Sequence, residues 1–502
     1  MIAQLQAINS TLEEKITKLN NQITWFKEQV KLIKHKQFGK QSEKTSWQIS
    51  LLFDAPEADE VSVTETQTDA QKIADLVTVT YTRPKKKKTV GRKLDTSNLP
   101  RERIIHDLTC DQKTCACGCE LTMVGEDVSE QLELIPAQLK VIEHVKLKYT
   151  CRDCQTITAA KKDIESPIPK SMASASLISD VIIKKYDHHL PLYRQSKIFA
   201  QRGIDIPDNT LGNWVMGAAD VLAPLGKAFW NQVILSNYVQ ADETTVKILR
   251  PDKKGYMWAY HSLDPKNKFI VFEFDLTREA RVPKNRLKDF KGILQTDGYG
   301  AYIKIGKQKD IIHLGCWDHA RRKFVAAIKV SNNNCTGISA QLLALINSLY
   351  DIEREIKEKS IDDRYQARQE KAKPILEKIF SIGKSIKALP KSTLGDALTY
   401  LKNNEPYLMR YIDDGRAQMS NILTENQMRP FAIGRKNWMF VGNVESANKS
   451  ALLYSIIQSC KMNNIDFRKY LIYVLNHAHA MRRGNIDAKS LLPQFIDSKI
   501  LG

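Results

Sequence analysis

Two aspartates occupy matching positions in this chain: Asp242 in VQADETTVKIL and Asp297 in GILQTDGYGAY, each following a short apolar run. The local sequences QADE and QTDG are nearly the same. A third acid, Glu445, lies in NWMFVGNVESANKSALLYSII, where an apolar helical pattern begins. A carboxylate at a strand mouth is costly to bury unless a cation neutralises it. Two or three that converge make a hard-oxygen site suited to Mg²⁺ or Mn²⁺. Two such ions, roughly 3.5–4 Å apart, can activate a water or a 3′-hydroxyl and stabilise the oxyanion that leaves phosphorus. Asp242, Asp297 and Glu445 are therefore the expected catalytic and metal-holding residues, with two metal ions per site. Glu243 is next to Asp242, but on a strand it points to the opposite face. Glu445 is the only acid between Glu425 and Asp466.

These acids need a frame. From 237 to 330 the pattern predicts strands YVQADETTVKIL, GYMWAYHSL and KFIVFEFDL, then a helix over 278–289. Strand GILQTD, a helix over 299–304, strand DIIHLGCW and helix DHARRKFVAAIKV follow. Such an order gives a mixed-sheet α/β layer in which Asp242 and Asp297 can be neighbours. Residues 331–430 are charged and helix-prone without strand runs, and read as an all-helical insertion. Asp297 and Glu445 are too far apart in sequence for a structureless loop. The sheet domain then occupies 235–330 and 431–480, with a tail at 481–502.

The polyanion that such a site would cut follows from charge. The chain has 76 Lys and Arg against 57 Asp and Glu, a net charge of +19, which points to nucleic acid. No apolar run of about 18 residues occurs, which excludes a membrane span. The start MIAQLQAINSTLEEK lacks the form of a signal peptide, so cytoplasmic residence is expected. Residues 1–38 carry heptads, with Ile2, Asn9, Ile16, Ile23 and Val30 at one position and Leu5, Leu12, Leu19, Phe26 and Ile33 three residues later. That pattern predicts a parallel two-stranded zipper, hence a homodimer or higher assembly. Residues 39–100 read as a linker that contains the basic run TRPKKKKTVGRK, with Lys85, Lys86, Lys87 and Lys88 as phosphate contacts.

In 101–165, Cys151 and Cys154 form a zinc half-site. CACGC supplies the other half: Cys115 and Cys117 are favoured, Cys119 is a substitute and Cys110 lies nearby. Residues 166–234 are helical around a turn at Gly203, Pro207 and Asp208, compatible with a helix-turn-helix that includes Arg194. Further candidate DNA contacts are Arg321 and Arg322 in CWDHARRKF, and Arg435, Lys436 and Trp438 in RPFAIGRKNWMF.

Taken in order, FGKQSEK, the cysteine segment with GEDVSEQLELIPAQLKVI, HHLPLYRQSKIFAQRGI, ADET, TDGYGAY, CWDHARRKF and GRKNWMF resemble transposases of the insertion sequence 66 family. The resemblance covers nearly the whole chain. It implies a DDE-type, ribonuclease-H-like enzyme that cuts and joins DNA, on a multidomain α/β chain with a structural Zn²⁺ segment and an N-terminal zipper. Its partners would be double-stranded DNA, both terminal inverted repeats and target, together with two small companion proteins of the element. It implies a bacterial, nucleoid-associated location. Asp242 and Asp297 match the first two acids, and the third corresponds to Glu445 or to the position of Asn448. If the third position is that of Asn448, this chain would be a decayed or domesticated DNA-binding copy of the family.

Overall fold

A computed structural model describes residues 166–330 and 337–501, the short stretches 139–145, 148–150 and 157–159, and part of 12–30. The chain divides into two compact units, one made of 1–78 and 164–502 and the other of 79–163. In the smaller unit, β1 (Lys148–Thr150) and β2 (Ile157–Ala159) pair antiparallel, with Thr150 opposite Ile157. All of the candidate zinc cysteines, and Lys85 to Lys88, lie outside the described residues.

The larger unit is built on one mixed sheet in the order β5-β4-β3-β6-β7. Its strands are β3 (Tyr238–Arg250), β4 (Lys253–Ser262), β5 (Ile270–Asp275), β6 (Gly292–Gln295) and β7 (Ile311–Leu314). β3, β4 and β5 form an antiparallel meander, whereas β6 and β7 run parallel to β3. Alternation along the strands sorts side chains to two faces. Val239, Ala241 and Leu294 join one hydrophobic core, while Tyr238 and Ile293 join a second.

The first core is closed by α1 (Ala175–Tyr186), α2 (Leu192–Gln201), α3 (Asp208–Val221) and α4 (Ala223–Leu235), together with helices from the end of the chain. The expected single helix before residue 203 is broken into α1 and α2, because His189 is left-handed (φ 57°) and Pro191 starts the next helix. The short helices α5 (Arg281–Arg286) and α6 (Gly300–Ile305) flank β6.

The second core belongs to the helical insertion. It gathers α7 (Trp317–Val330), α8 (Ile338–Ile356), α10 (Lys373–Ser385) and α11 (Thr393–Met409), with α9 (Ile361–Ala367) at its edge. The chain then returns to the sheet through α12 (Ile422–Trp438), β8 (Val441–Asn443) and α13 (Val444–Met462), followed by α14 (Phe467–Asn476) and α15 (Ala478–Arg482).

The serines of α13 explain where that helix sits. Ser455 and Ser459 hydroxyls accept from the backbone N–H of Phe272 (2.8 Å) and Ile270 (3.1 Å), which satisfies the outer edge of β5. An edge strand left open would otherwise invite pairing with another chain. Among the described residues no helix is long and apolar enough to cross a membrane.

Candidate active site

Strand register brings the two aspartates together. In the parallel β3–β6 pair Gln240 is opposite Gln295, and Asp242 and Asp297 each lie two residues further on. Adjacent strands are about 4.8 Å apart, and Asp297, just past the end of β6, lies close enough for its charge to bear on the Asp242 carboxyl. Asp297 is followed by Gly298 at φ +90°, where a Cβ would come within 2.6 Å of Asn404 Oδ1 on α11. The turn therefore needs glycine for its backbone and for the close approach of the insertion. Tyr400 of the same helix donates to the Asp297 carbonyl (2.7 Å).

The third acid on this face is Glu425, in the first turn of α12. Its neighbour Asn421 donates to Asp242 Oδ2 at 3.4 Å. Burial, then the nearby charges of Asp297, Glu425 and Glu243, pushes the Asp242 carboxyl well above its usual range. Glu243 is held by Arg278 (Nε to Oε1, 2.7 Å), and Glu425 by Arg322 through two bonds of 2.7 and 2.8 Å. Neither Asp242 nor Asp297 forms an ion pair among the described residues. His319 adds a ring nitrogen 3.8 Å from Glu425, while its Nδ1 is buried without a partner.

Two carboxylates without ion pairs among the described residues, beside a third, fit a divalent cation: it would offset the burial and the repulsion that raise the Asp242 pKa. Among the described residues no three such side chains yet converge on one metal-sized point. The acids form an electrostatic cluster rather than a closed ligand set.

Glu445 is not part of that cluster, contrary to the expectation from sequence. β8 pairs with the far end of β3, Asn443 opposite Arg250, eight residues beyond Asp242. At about 3.3 Å per residue that is roughly 26 Å along the strand. Two residues later Glu445 is 72% exposed and paired with Lys449 at 2.7 Å. Asn448 belongs to the same helix. Glu425, the acid near Asp242, lies instead within 331–430, the span that the sequence reads as the insertion.

A buried amide network fixes Glu425 relative to the aspartates. Gln240 Nε2 donates to Gln295 Oε1 and to the Ser420 carbonyl, both at 2.8 Å. Gln295 Nε2 donates to the carbonyls of Gly315 (3.0 Å) and Gln418 (2.8 Å), and Tyr238 donates to Gln295 Oε1 at 2.6 Å. Thr424 donates to Gln240 Oε1 (2.9 Å), and its oxygen lies 3.1 Å from His261 Nδ1. The hydroxyl has one proton, so His261 must donate from Nδ1; burial pushes its pKa down to about 4 and keeps the ring neutral. Every amide hydrogen and oxygen of the two glutamines is used, which ties the segment 418–424 to the strands that carry the aspartates. The two glutamines were visible in QADE and QTDG, but only the paired register gives them a partner.

The candidate DNA contacts are scattered. Arg321 is occupied by Asn347 (2.9 Å), which ties α7 to α8, and Arg322 by Glu425, which braces the site. Trp438 packs edge-on against Phe431 (5.6 Å), as a core residue does. Arg194 is exposed on α2 and bonded to Tyr193. Arg435 and Lys436 line an open groove beside β3.

The sheet, the insertion and both aspartates fall within a single family match. Residues 170–449 match the model described as "Transposase IS66 family", more than half of the chain. The chain belongs to this family of transposases. Residues 112–155 match "zinc-finger binding domain of transposase IS66", which supports structural zinc. Residues 25–104 match "Transposase C of IS166 homeodomain", and together the matches support DNA binding. Two relatives come from Sinorhizobium fredii (strain NBRC 101917 / NGR234). The uncharacterized protein y4jD is 31% identical over 402 residues, covering 75% of this chain and 77% of the relative. The uncharacterized protein y4qI is 28% identical over 494 residues, covering 93% and 86%.

Proposed function

We propose that this protein is a metal-dependent DNA transposase that cuts at the ends of its element and joins them to target DNA. The observation that carries the reading is the β3–β6 register, which sets Asp242 beside Asp297 with Glu425 next to them. An antiparallel meander extended by two parallel strands supports a ribonuclease-H-like core, interrupted by the helical insertion and resumed at α12. Asp242, Asp297 and Glu425 would hold Mg²⁺ or Mn²⁺. Bound there, the ions would polarise the attacking oxygen and stabilise the one that leaves.

The chain's own groups have separate tasks. Arg278 neutralises Glu243, the glutamate outside the ligand set, and Arg322 holds the Glu425 carboxylate in position beside the aspartates. The glutamine network holds α12 in place while DNA enters. In the overall reaction a water oxygen bonds to phosphorus and the P–O3′ bond breaks. The 3′-hydroxyl so freed then displaces a 3′-oxygen in the target.

Asp242→Asn and Asp297→Asn should each lower Mg²⁺-dependent nicking of a terminal-repeat duplex by at least about 10³-fold, the loss of several kcal/mol of charge stabilisation. Gel-shift affinity for the same duplex should hold. Normal nicking by either variant rejects the assignment. Wild-type protein that binds ends but never nicks them would instead be a DNA-binding derivative of the family.

The zipper has its own support. Described residues between 12 and 30 are helical, and Leu12, Ile16, Leu19, Ile23, Phe26 and Val30 are 48–59% exposed along the heptad positions. Such a stripe at heptad spacing suits a second copy of the chain. Ile16→Asn with Ile23→Asn should convert a dimer to a monomer in sedimentation and abolish pairing of two DNA ends. A dimer that survives the double change would reject the zipper. In the zinc segment, Cys151 and Cys154 with Cys115 and Cys117 are the proposed ligands, Cys119 or Cys110 substituting.

A further inference from the structure

The open groove beside β3 is a cavity of about 660 Å³, lined by Thr245, Val246, Lys247, Asp252, Lys253, Lys254, Arg435, Lys436 and Met439. We infer that this groove seats the phosphates of the DNA strand about two nucleotides from the bond that is cut. The inference rests on the transposase reading for the bond itself, but concerns residues outside the acid cluster.

Charge is the first ground. Five cations line the groove against one acid, Asp252, which reaches only Lys247 at 3.3 Å and is itself 73% exposed. Lys253 and Lys436 are exposed and form no ion pair among the described residues. Arg435 is anchored by Nη1 alone, to Thr244 Oγ1 (3.3 Å), Thr245 Oγ1 (3.2 Å) and the Thr245 carbonyl. Its Nε and Nη2 have no protein partner among the described residues. An arginine fixed at one nitrogen presents the others as a fork suited to a phosphate.

Spacing is the second ground. Thr245 and Lys247 follow Asp242 by three and five residues on the same strand. At about 3.3 Å per residue this places them roughly 10–17 Å from the acids. Consecutive phosphates of one duplex strand are about 7 Å apart along the backbone, roughly twice the axial rise of about 3.4 Å. A strand that runs along β3 with one phosphate at Asp242 therefore meets the groove about two nucleotides away. The hairpin β3–β4 and the last turn of α12 form the two walls, so the contact is with the backbone and not with base edges.

The test uses the full-length protein with a triple change, Lys253→Gln, Lys254→Gln and Lys436→Gln. Binding to a terminal-repeat duplex is measured against salt in the Asp242→Asn background, where cutting is blocked. Loss of three phosphate contacts should reduce the slope of log K against log salt by about 2.7. Methylphosphonate substitutions, scanned along the duplex, should weaken wild-type cutting at the phosphates about two nucleotides from the cut and add no further loss in the triple variant. An unchanged slope, or interference absent from those positions, overturns the inference. Should the wild type fail to cut at all, the transposase reading falls, and the salt slope alone still decides the groove.

Discussion

Glu425→Gln will reduce metal-dependent strand cutting by about 10³-fold or more, and Glu445→Gln will leave it within about twofold of wild type. The first magnitude follows from removing one anionic ligand from a site whose ions stabilise charge by several kcal/mol. The substitution is nearly isosteric, and Arg322 keeps an amide oxygen to donate to, so α12 should stay in place. Glu445 instead makes an exposed pair with Lys449, which also reaches Asp220 at 2.8 Å. Exposed pairs of this spacing contribute about 0.3–0.5 kcal/mol, too little to disturb a site two dozen ångströms away. Assay of the two variants side by side on one duplex decides between them. Full activity in Glu425→Gln with loss in Glu445→Gln would restore the assignment read from sequence and overturn this one.

Arg368→Met will cost about 3–5 kcal/mol and lower Tm by roughly 6–10 °C. Arg368 is 1% exposed and opens a single π-helical turn after α9. It forms two bonds with Glu353 (2.8 and 2.6 Å) and donates to the carbonyls of Tyr411 (3.1 Å), Asp414 (2.7 Å) and Ala417 (2.8 Å). Met fills most of the volume but donates nothing, so three carbonyls and a carboxylate lose their partner. These carbonyls belong to the segment that leads into Gln418 and Ser420, where the glutamine network grips it. Cutting should therefore fall at temperatures where the sheet is still folded. Calorimetry and activity measured across temperature check both parts. A Tm shift below about 2 °C would show that the insertion does not depend on this arginine.

The strand pattern from 238 to 314 was readable because apolar alternation and Gly-marked ends set period and length locally. The expected helix over 278–289 is shorter in the structure, at Arg281–Arg286, and the others agree closely. Two aspartates at matching offsets from a glutamine were equally legible. The third acid was not. ILTENQMRPFAIGRKNW contains Pro430 and follows a long helical insertion, so nothing local marks it as the helix that returns to the sheet. The helix after it, with its strong apolar run, was the natural choice. Its apolar surface is instead directed at β5, and its serines satisfy that strand's edge.

What the residues settled alone was the chain's chemistry and its local periods: acidic pair, cysteine pairs, heptads and excess positive charge. Those properties depend on neighbours within a few positions. Which acid lies beside the pair, and which cations face a groove rather than brace a helix, is decided by tertiary structure. Both depend on strand register and on contacts between residues more than a hundred positions apart, such as Gln240 with Ser420. A register pairs groups without regard to their separation in sequence, so no local pattern encodes it.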